Sequence, residues 1–420
     1  MMDIRDGGND HRQAHILLME SNEHERTVLT HQLQRMGHTV THANSSYEAL
    51  ELLTSDNFDL VLLDFTASVL GGLQVLERIR SDRGHVPVLV ISATDDIENM
   101  IKSIELGAED YLLKPVNEAL LRAHVSAALE KKWLRDRERA YLAAIHHEMQ
   151  LGRQIQADFM PMHIPRIRGW RIATRFLPAN QVSGDFFDIF RLPHGHLSLV
   201  IGDVSGKGVG AALFMALIRT LLRAFSDSNN GSPEAVLNAV RHTNRYILRH
   251  HQQQTSMFTT LFVGVLTPRT GELKYINAGH VPPVLSRLNG SQHLLLPSGP
   301  AIGVTEELPF EEHITHLDPG DLLLLYTDGV TEAMNAKHEL FGIERLQEIS
   351  RCVHLPPQHL LRCVETHLIA HSGRNSFSDD VTMLAIKRIL CKVKRLPDYV
   401  PLKETLPCCS DAGQLTRTQG

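Results

Sequence analysis

Between His15 and Pro115, short apolar runs alternate with stretches of helical pattern, and this alternation restricts the fold more than any other feature of the chain. His15-Ile-Leu-Leu-Met-Glu20, Asp59-Leu-Val-Leu-Leu-Asp64 and Val86-Pro-Val-Leu-Val-Ile-Ser92 are apolar at nearly every inner position, so both faces of each strand need cover. Ser21–Met36 reads as a helix stopped by Gly37, Thr39–Ala43 as a short strand, and Ser46–Leu53 as the start of another helix. Asp110-Tyr111-Leu-Leu-Lys114-Pro115 reads as the last strand. The pattern predicts an α/β unit with a doubly wound, five-stranded parallel sheet. In such sheets function gathers at the carboxyl ends of the strands, where Glu20, Asp64, Ser92 and Lys114 fall.

Those residues resemble a response-regulator receiver domain over residues 14–130. The resemblance implies that Asp64 accepts a phosphoryl group, with Glu20 on a Mg²⁺ ion, Ser92 and Lys114 gripping the phosphoryl, and Tyr111 as the switch aromatic. A histidine kinase or phosphotransfer protein would be the donor. Position 21 is serine where the family usually has a second acidic residue, and residues 65–72 lack its usual Met-Pro. A second reading stays open, in which Asp64 only pairs with Lys114 to hold the pocket together.

A different acidic pattern follows. Val-Ser-Gly-Asp185-Phe-Phe-Asp188 and Ile-Gly-Asp203-Val204-Ser-Gly-Lys-Gly lie about one hairpin apart. Tyr326-Thr-Asp328-Gly-Val-Thr-Glu-Ala and Ser378-Asp379-Asp380-Val-Thr come later. Gly-Asp pairs mark turns in any protein. Here the aspartates adjoin the apolar runs Leu197–Ile201, Leu322–Tyr326 and Val381–Ile386, which places carboxylates at sheet ends. Oxygen ligands of this kind suit Mg²⁺ or Mn²⁺.

These four segments resemble the PPM family of metal-dependent serine/threonine phosphatases, in its SpoIIE/RsbU-like branch, over roughly residues 150–388. The resemblance implies an α+β domain, a β-sandwich flanked by helices, with two or more metal ions. Asp203 would bridge them, the Val204 carbonyl would add an oxygen, Asp328 and Asp379 would hold the first metal, and Asp185 would stand near the second. Asp380 would have a supporting role. Activated water would then attack phosphoserine or phosphothreonine directly. The substrate implied is a phosphorylated anti-sigma-factor antagonist of STAS type. None of the five cysteines heads a Cys-x5-Arg loop, so a cysteine nucleophile is not indicated. Asn277-Ala-Gly-His280-Val-Pro-Pro also resembles this branch and has no chemistry assigned. The apolar helix Ala211–Phe225, directly after the Asp203 loop, is a candidate switch element or, as the alternative, simply a core helix.

The expected organisation is a receiver at 14–130, a helical linker at 131–165, the phosphatase domain at 166–388 and a mobile tail at 389–420. Leu134, Tyr141, Ile145, Met149, Ile155 and Phe159 make an apolar stripe in the linker, which predicts a homodimeric coiled coil or, as the alternative, a helix packed on its own phosphatase domain. Net charge is −6 and no basic face follows the receiver, which disfavours nucleic-acid binding. No apolar run approaches the roughly 20 residues that span a bilayer and the start of the chain lacks a signal-peptide core, so no membrane association is expected, and the few, unevenly spaced cysteines argue against a disulfide framework and for a reducing cytoplasm. The scattered histidines, His146-His147 and His250-His251 among them, read as solvated surface. The alternative to an enzyme is a non-catalytic adaptor that binds a sigma factor or anti-sigma protein through the phosphatase-like domain. A fused kinase-phosphatase switch needs a nucleotide-binding module, and Ile389–Gly420 is shorter than the roughly 100 residues of a domain.

Overall fold

A computed structural model describes residues 12–64, 72–83, 86–93, 97–161, 163–227, 232–251, 256–373 and 377–390. The expectations about residues 65–71 and about the tail from Cys391 onward lie outside the described residues. The chain divides into two compact units, 1–147 and 148–420.

The first unit is the doubly wound sheet that the alternation predicts. Strands β1 (His15–Met19), β2 (Thr39–Ala43), β3 (Leu60–Asp64), β4 (Val88–Ser92) and β5 (Asp110–Leu113) are parallel, in the order β2-β1-β3-β4-β5. Successive side chains of a strand point to opposite faces, so β1 feeds two cores. Ile16 and Leu18 pack with Leu29 and Leu33 of helix α1 (Glu23–Arg35). Leu17 and Met19 pack with Ala49 and Leu53 of helix α2 (Ser46–Ser55). Helices α3 (Gly72–Arg83) and α4 (Ile97–Glu105) follow β3 and β4. Helix α1 starts two residues later than its sequence suggests, because the Asn22 side chain accepts the His24 and Glu25 N–H groups and so caps it.

Helix α5 runs without interruption from Glu118 to Phe159, so the last receiver helix and the expected linker are one element of 42 residues. Leu121, Val125 and Leu129 pack on the first sheet. Beyond them Leu134, Tyr141 and Ile155 are exposed by 61, 66 and 61% among the described residues, while Ile145, Met149 and Phe159 are half-buried.

The second unit is a sandwich of two five-stranded antiparallel sheets. One comprises β7 (Phe186–Arg191), β8 (Leu197–Val204), β9 (Thr259–Thr267), β10 (Glu272–Ala278) and β13 (His313–His316). The other comprises β6 (Trp170–Leu177), β11 (Val284–Ser286), β12 (Gln292–Leu294), β14 (Leu322–Tyr326) and β15 (Val381–Arg388). Strand alternation sorts the layers. Leu197, Leu199 and Ile201 of β8 meet Leu323, Leu325, Leu384 and Ile386 between the sheets. Val200 and Val204 face outward, beneath α6 (Val209–Ser226) and α7 (Pro233–His250). Leu322, Leu324 and Tyr326 face the other way, beneath α9 (Ile343–Ser350) and α10 (Pro357–Ser372). Of the described helices, α6 is apolar and long enough to cross a membrane by composition, yet its Ala211, Phe214, Met215, Ile218 and Leu222 form part of this core. Buried Asp188 ties α6 to β7: Arg223 clasps it with two hydrogen bonds of 2.7 and 2.8 Å, and Arg219 lies 3.1 Å away.

Close packing at the β8 hairpin gives a direct test. A Cβ on Gly202 would stand 2.7 Å from the Phe186 ring and 3.0 Å from the Thr260 carbonyl, whereas a Cβ on Gly210 meets nothing within 4 Å. Gly202→Ala is expected to destabilise the unit by about 1–3 kcal/mol in urea unfolding. Gly210→Ala is expected to be neutral or stabilising by up to about 1 kcal/mol.

Candidate functional sites

The two sheets bring the expected aspartates to one end of the sandwich. Asp185 immediately precedes β7, and Asp203 is the penultimate residue of β8, facing it across the hairpin. Asp328 begins the single helical turn α8 (Asp328–Thr331) beyond β14, and Asp379 and Asp380 precede β15. Asp185 is 1% exposed and is fixed by hydroxyls. Thr327 Oγ1 donates to its Oδ2 at 2.7 Å, and Thr382 Oγ1 donates to the same oxygen at 2.6 Å. The Thr382 N–H in turn donates to Thr327 Oγ1 at 3.0 Å.

The loop before Asp185 is pinned from two sides. The Asp380 carboxylate accepts the Ala179 and Gly184 N–H groups, at 2.8 and 3.2 Å. Gln156, on the last turn of α5, donates its amide to the Ser183 carbonyl at 2.6 Å and accepts the Ser183 N–H at 2.9 Å. A Cβ on Gly184 would stand 3.0 Å from the Val204 carbonyl oxygen, so any side chain there would crowd that main-chain oxygen.

Like charge accumulates at this end. Burial, then the charges of Asp328, Asp379 and Asp380, push Asp203 up to about 7 against a hydrogen bond with Asp185. Burial and the neighbouring Asp203 drive Asp185 well above the usual carboxylate range. Burial, Glu332 and Asp379 raise Asp328 as well. Lys207 answers part of this charge, its ammonium lying 3.0 Å from Asp379 and donating to the Ser378 carbonyl at 2.8 Å. The carboxylates are paired rather than gathered: among the described residues no three His, Cys, Asp or Glu side chains stand where they could share an ion. In donor chemistry the set still fits a hard divalent cation, since its groups are oxygens whose mutual repulsion a dication relieves.

Behind the aspartates, His280 joins the sheets. It is 1% exposed. Its Nε2 lies 3.0 Å from the Tyr326 carbonyl on β14, and its Nδ1 lies 2.9 Å from Thr260 Oγ1 on β9. A carbonyl only accepts, so the neutral ring donates through Nε2 and accepts at Nδ1. Asn277 Oδ1 takes the His280 N–H at 2.8 Å, and Gly279, at φ 70°, has no room for a Cβ beside the Ala301 backbone. The Asn-Ala-Gly-His segment therefore has a structural role that its sequence alone does not disclose.

In the first unit, Glu20, Asp64, Ser92 and Lys114 meet at the carboxyl ends of β1, β3, β4 and β5. The Lys114 ammonium lies 2.7 Å from Glu20, 3.0 Å from Asp64 and 2.5 Å from Glu25. Ser92 is buried, and its carbonyl accepts the Lys114 N–H at 2.9 Å. Tyr111 is partly buried against the core that β3 and β4 share with α2 and α3. Sequence reading does not single out Thr327, Thr382, Gln156, Lys207 or Glu25. The two threonines stand beside the aspartate motifs, and that adjacency is the signal that could have found them.

Burial pushes His280 down to about 4, below the 6.5 of a free imidazole. Below pH 6.5 the unfolded chain therefore takes up a proton that the folded chain refuses, and this part of the stability declines until the pH reaches about 4. His280→Gln keeps an amide donor and acceptor without the titration. Urea unfolding of this variant is expected to show a stability loss, between about pH 6.5 and 4, that is shallower than wild type by up to about 1.4 kcal/mol per pH unit.

Comparison with known proteins identifies both units. Residues 16–126 match the response regulator receiver domain, and residues 193–389 match stage II sporulation protein E (SpoIIE). Protein IcfG of Synechocystis sp. is 40% identical over 263 residues, 57% of this chain but only 41% of IcfG. Phosphoserine phosphatase RsbU of Bacillus subtilis is 25% identical over 247 residues, 58% of this chain and 71% of RsbU. Regulator of RpoS of Escherichia coli K12 is 31% identical over 242 residues, 54% of this chain and 72% of that protein. The chain belongs to the response regulators that join an N-terminal receiver domain to a C-terminal SpoIIE-type domain of the PPM phosphatase class.

Proposed function

We propose that this response regulator acts by removing phosphate from phosphoserine or phosphothreonine on a protein substrate. The observation that carries the reading is the convergence of Asp185, Asp203, Asp328 and Asp379 at one end of the sandwich, with Lys207 the cation paired there. Asp203, Asp328, Asp379 and the Val204 carbonyl would hold Mn²⁺ or Mg²⁺, with Asp185 near a second ion, which requires the carboxylates to draw closer than they stand here. Bound dications would lower the pKa of water and neutralise phosphoryl charge. Thr327 and Thr382 fix the rotamer of Asp185, and Asp380 and Gln156 fix the loop that carries it. Lys207, 54% exposed, stands at the open side, where its ammonium can meet an entering phosphoryl oxygen.

The likeness to phosphoserine phosphatase RsbU supports the reaction class, and the substrate class proposed is an anti-sigma-factor antagonist of STAS type. In this reading a histidine kinase or phosphotransfer protein modifies Asp64 and so controls the output. We place the protein in the cytoplasm, as a homodimer through α5. An adaptor is the second reading, favoured by the likeness to regulator of RpoS. There the aspartates would be retained for folding and the phosphatase-like domain would bind a sigma factor or anti-sigma protein.

The deciding assay is Mn²⁺-dependent phosphate release from a serine-phosphorylated STAS-domain protein, with and without acetyl phosphate as donor to Asp64. The phosphatase reading expects turnover that Asp328→Ala lowers by at least about a hundredfold and that the donor alters. Turnover absent in wild type, or undiminished by Asp328→Ala, favours the adaptor. For the dimer, Leu134→Glu with Tyr141→Glu is expected to shift sedimentation to the monomer at unchanged far-UV circular dichroism. Unchanged sedimentation would remove α5 from the interface.

A further inference from the structure

Lys114 has no donor to spare. An alkylammonium carries three N–H donors, and here three carboxylates, of Glu20, Glu25 and Asp64, lie within 3.0 Å of it. Two of them belong to the floor of the pocket: the Glu20 and Asp64 side chains are 0 and 1% exposed. Glu20 is further anchored by the Asn22 N–H, at 2.9 Å on its other oxygen. Glu25 differs. It comes from the first turn of α1, its side chain is 39% exposed, and its contact with Lys114, at 2.5 Å, is the shortest of the three.

A phosphoryl group arriving on Asp64 brings further negative charge to a pocket where three carboxylates already face one ammonium. Asp64 gives up its own contact when its oxygen bonds to phosphorus, and the phosphoryl oxygens call for more than that one Lys114 donor, so a second partner has to yield. Glu25 is the partner that can, because its carboxylate swings into solvent at small desolvation cost, while Glu20 is fully buried and held also by the Asn22 N–H. Burial pulls the Lys114 pKa down, but the hydrogen bonds of Glu20, Glu25 and Asp64 outweigh it and the net shift is upward, so the ammonium stays charged throughout.

We propose that Glu25 is a positioning residue of the receiver that holds Lys114 away from phosphoryl binding, so that the Glu25–Lys114 ion pair must open before Asp64 is phosphorylated. The inference rests on Asp64 being the phosphoryl acceptor, and it explains what α1 contributes to a pocket whose position 21 is serine. Glu25 acts as a brake here, not as a replacement for a missing metal ligand.

The test uses the full chain and beryllofluoride, a phosphoryl mimic, at saturating Mg²⁺, with bound fluoride read by ¹⁹F NMR. Glu25→Gln removes the charge, and Glu25→Asp keeps it but withdraws it by one methylene. The beryllofluoride concentration for half-saturation is expected to fall about three- to tenfold in Glu25→Gln, with Glu25→Asp in between, as for a partly exposed charge contact. Asp64→Asn should abolish the signal. An unchanged half-saturation in Glu25→Gln overturns the brake, and a raised one overturns it in favour of Glu25 as a cation ligand. No bound signal in wild type or any variant would instead sink the acceptor reading, and the inference with it.

Discussion

Carboxylates buried beside one another are the constraint on which the C-terminal unit turns. Asp185 and Asp203 lie at the end of an apolar sandwich, where water can do little to solvate them and their neighbours raise the cost of ionising both. The fold meets that cost locally. Two threonine hydroxyls hold one oxygen of Asp185, a hydrogen bond joins Asp185 to Asp203, and Lys207 pairs with Asp379 at the rim. Each device comes from a different strand or loop, so the geometry of the acids depends on both sheets staying in register. His280 spans from Thr260 to the Tyr326 carbonyl behind them and locks that register where the acids need it.

A similar principle operates in the receiver. Three carboxylates share one ammonium, and the pocket at rest is satisfied rather than open. On the proposal above, phosphorylation would be an exchange of partners on Lys114, with its cost set by the exposed partner Glu25. Leu121, Val125 and Leu129 of α5 pack on the receiver sheet, and Gln156, in its last turn, grips Ser183 two residues before Asp185.

Much of the fold is legible in the sequence because burial on both faces leaves a local signature. Leu322–Tyr326 and Thr39–Ala43 read directly as strands with the bounds the structure gives them. Val86 and Pro87 read as the start of a strand but precede it, since β4 begins at Val88 and proline has no N–H for a ladder. The aspartates are legible because a Gly-Asp step at the end of an apolar run is a local pattern. Their supports are not. Thr327 and Thr382 reach Asp185 across 142 and 197 residues of chain, and Gln156 reaches Ser183 from another element. Glu25 is hidden for the same reason: in sequence it is one acidic residue in the first turn of a helix, and only the parallel sheet brings it to Lys114.

On the proposed function, hard divalent cations bind this acidic end and displace protons from carboxylates whose pKa values burial and like charge raise. Calorimetric titration of Mn²⁺ into the metal-free full chain near pH 6.5, repeated in buffers of different ionisation enthalpy, measures binding and proton release together. The account predicts saturable binding with release of about one proton, from the Asp185–Asp203 pair, and loss of that release in Asp203→Asn. Absence of saturable binding, or binding that releases no proton in wild type, would contradict it.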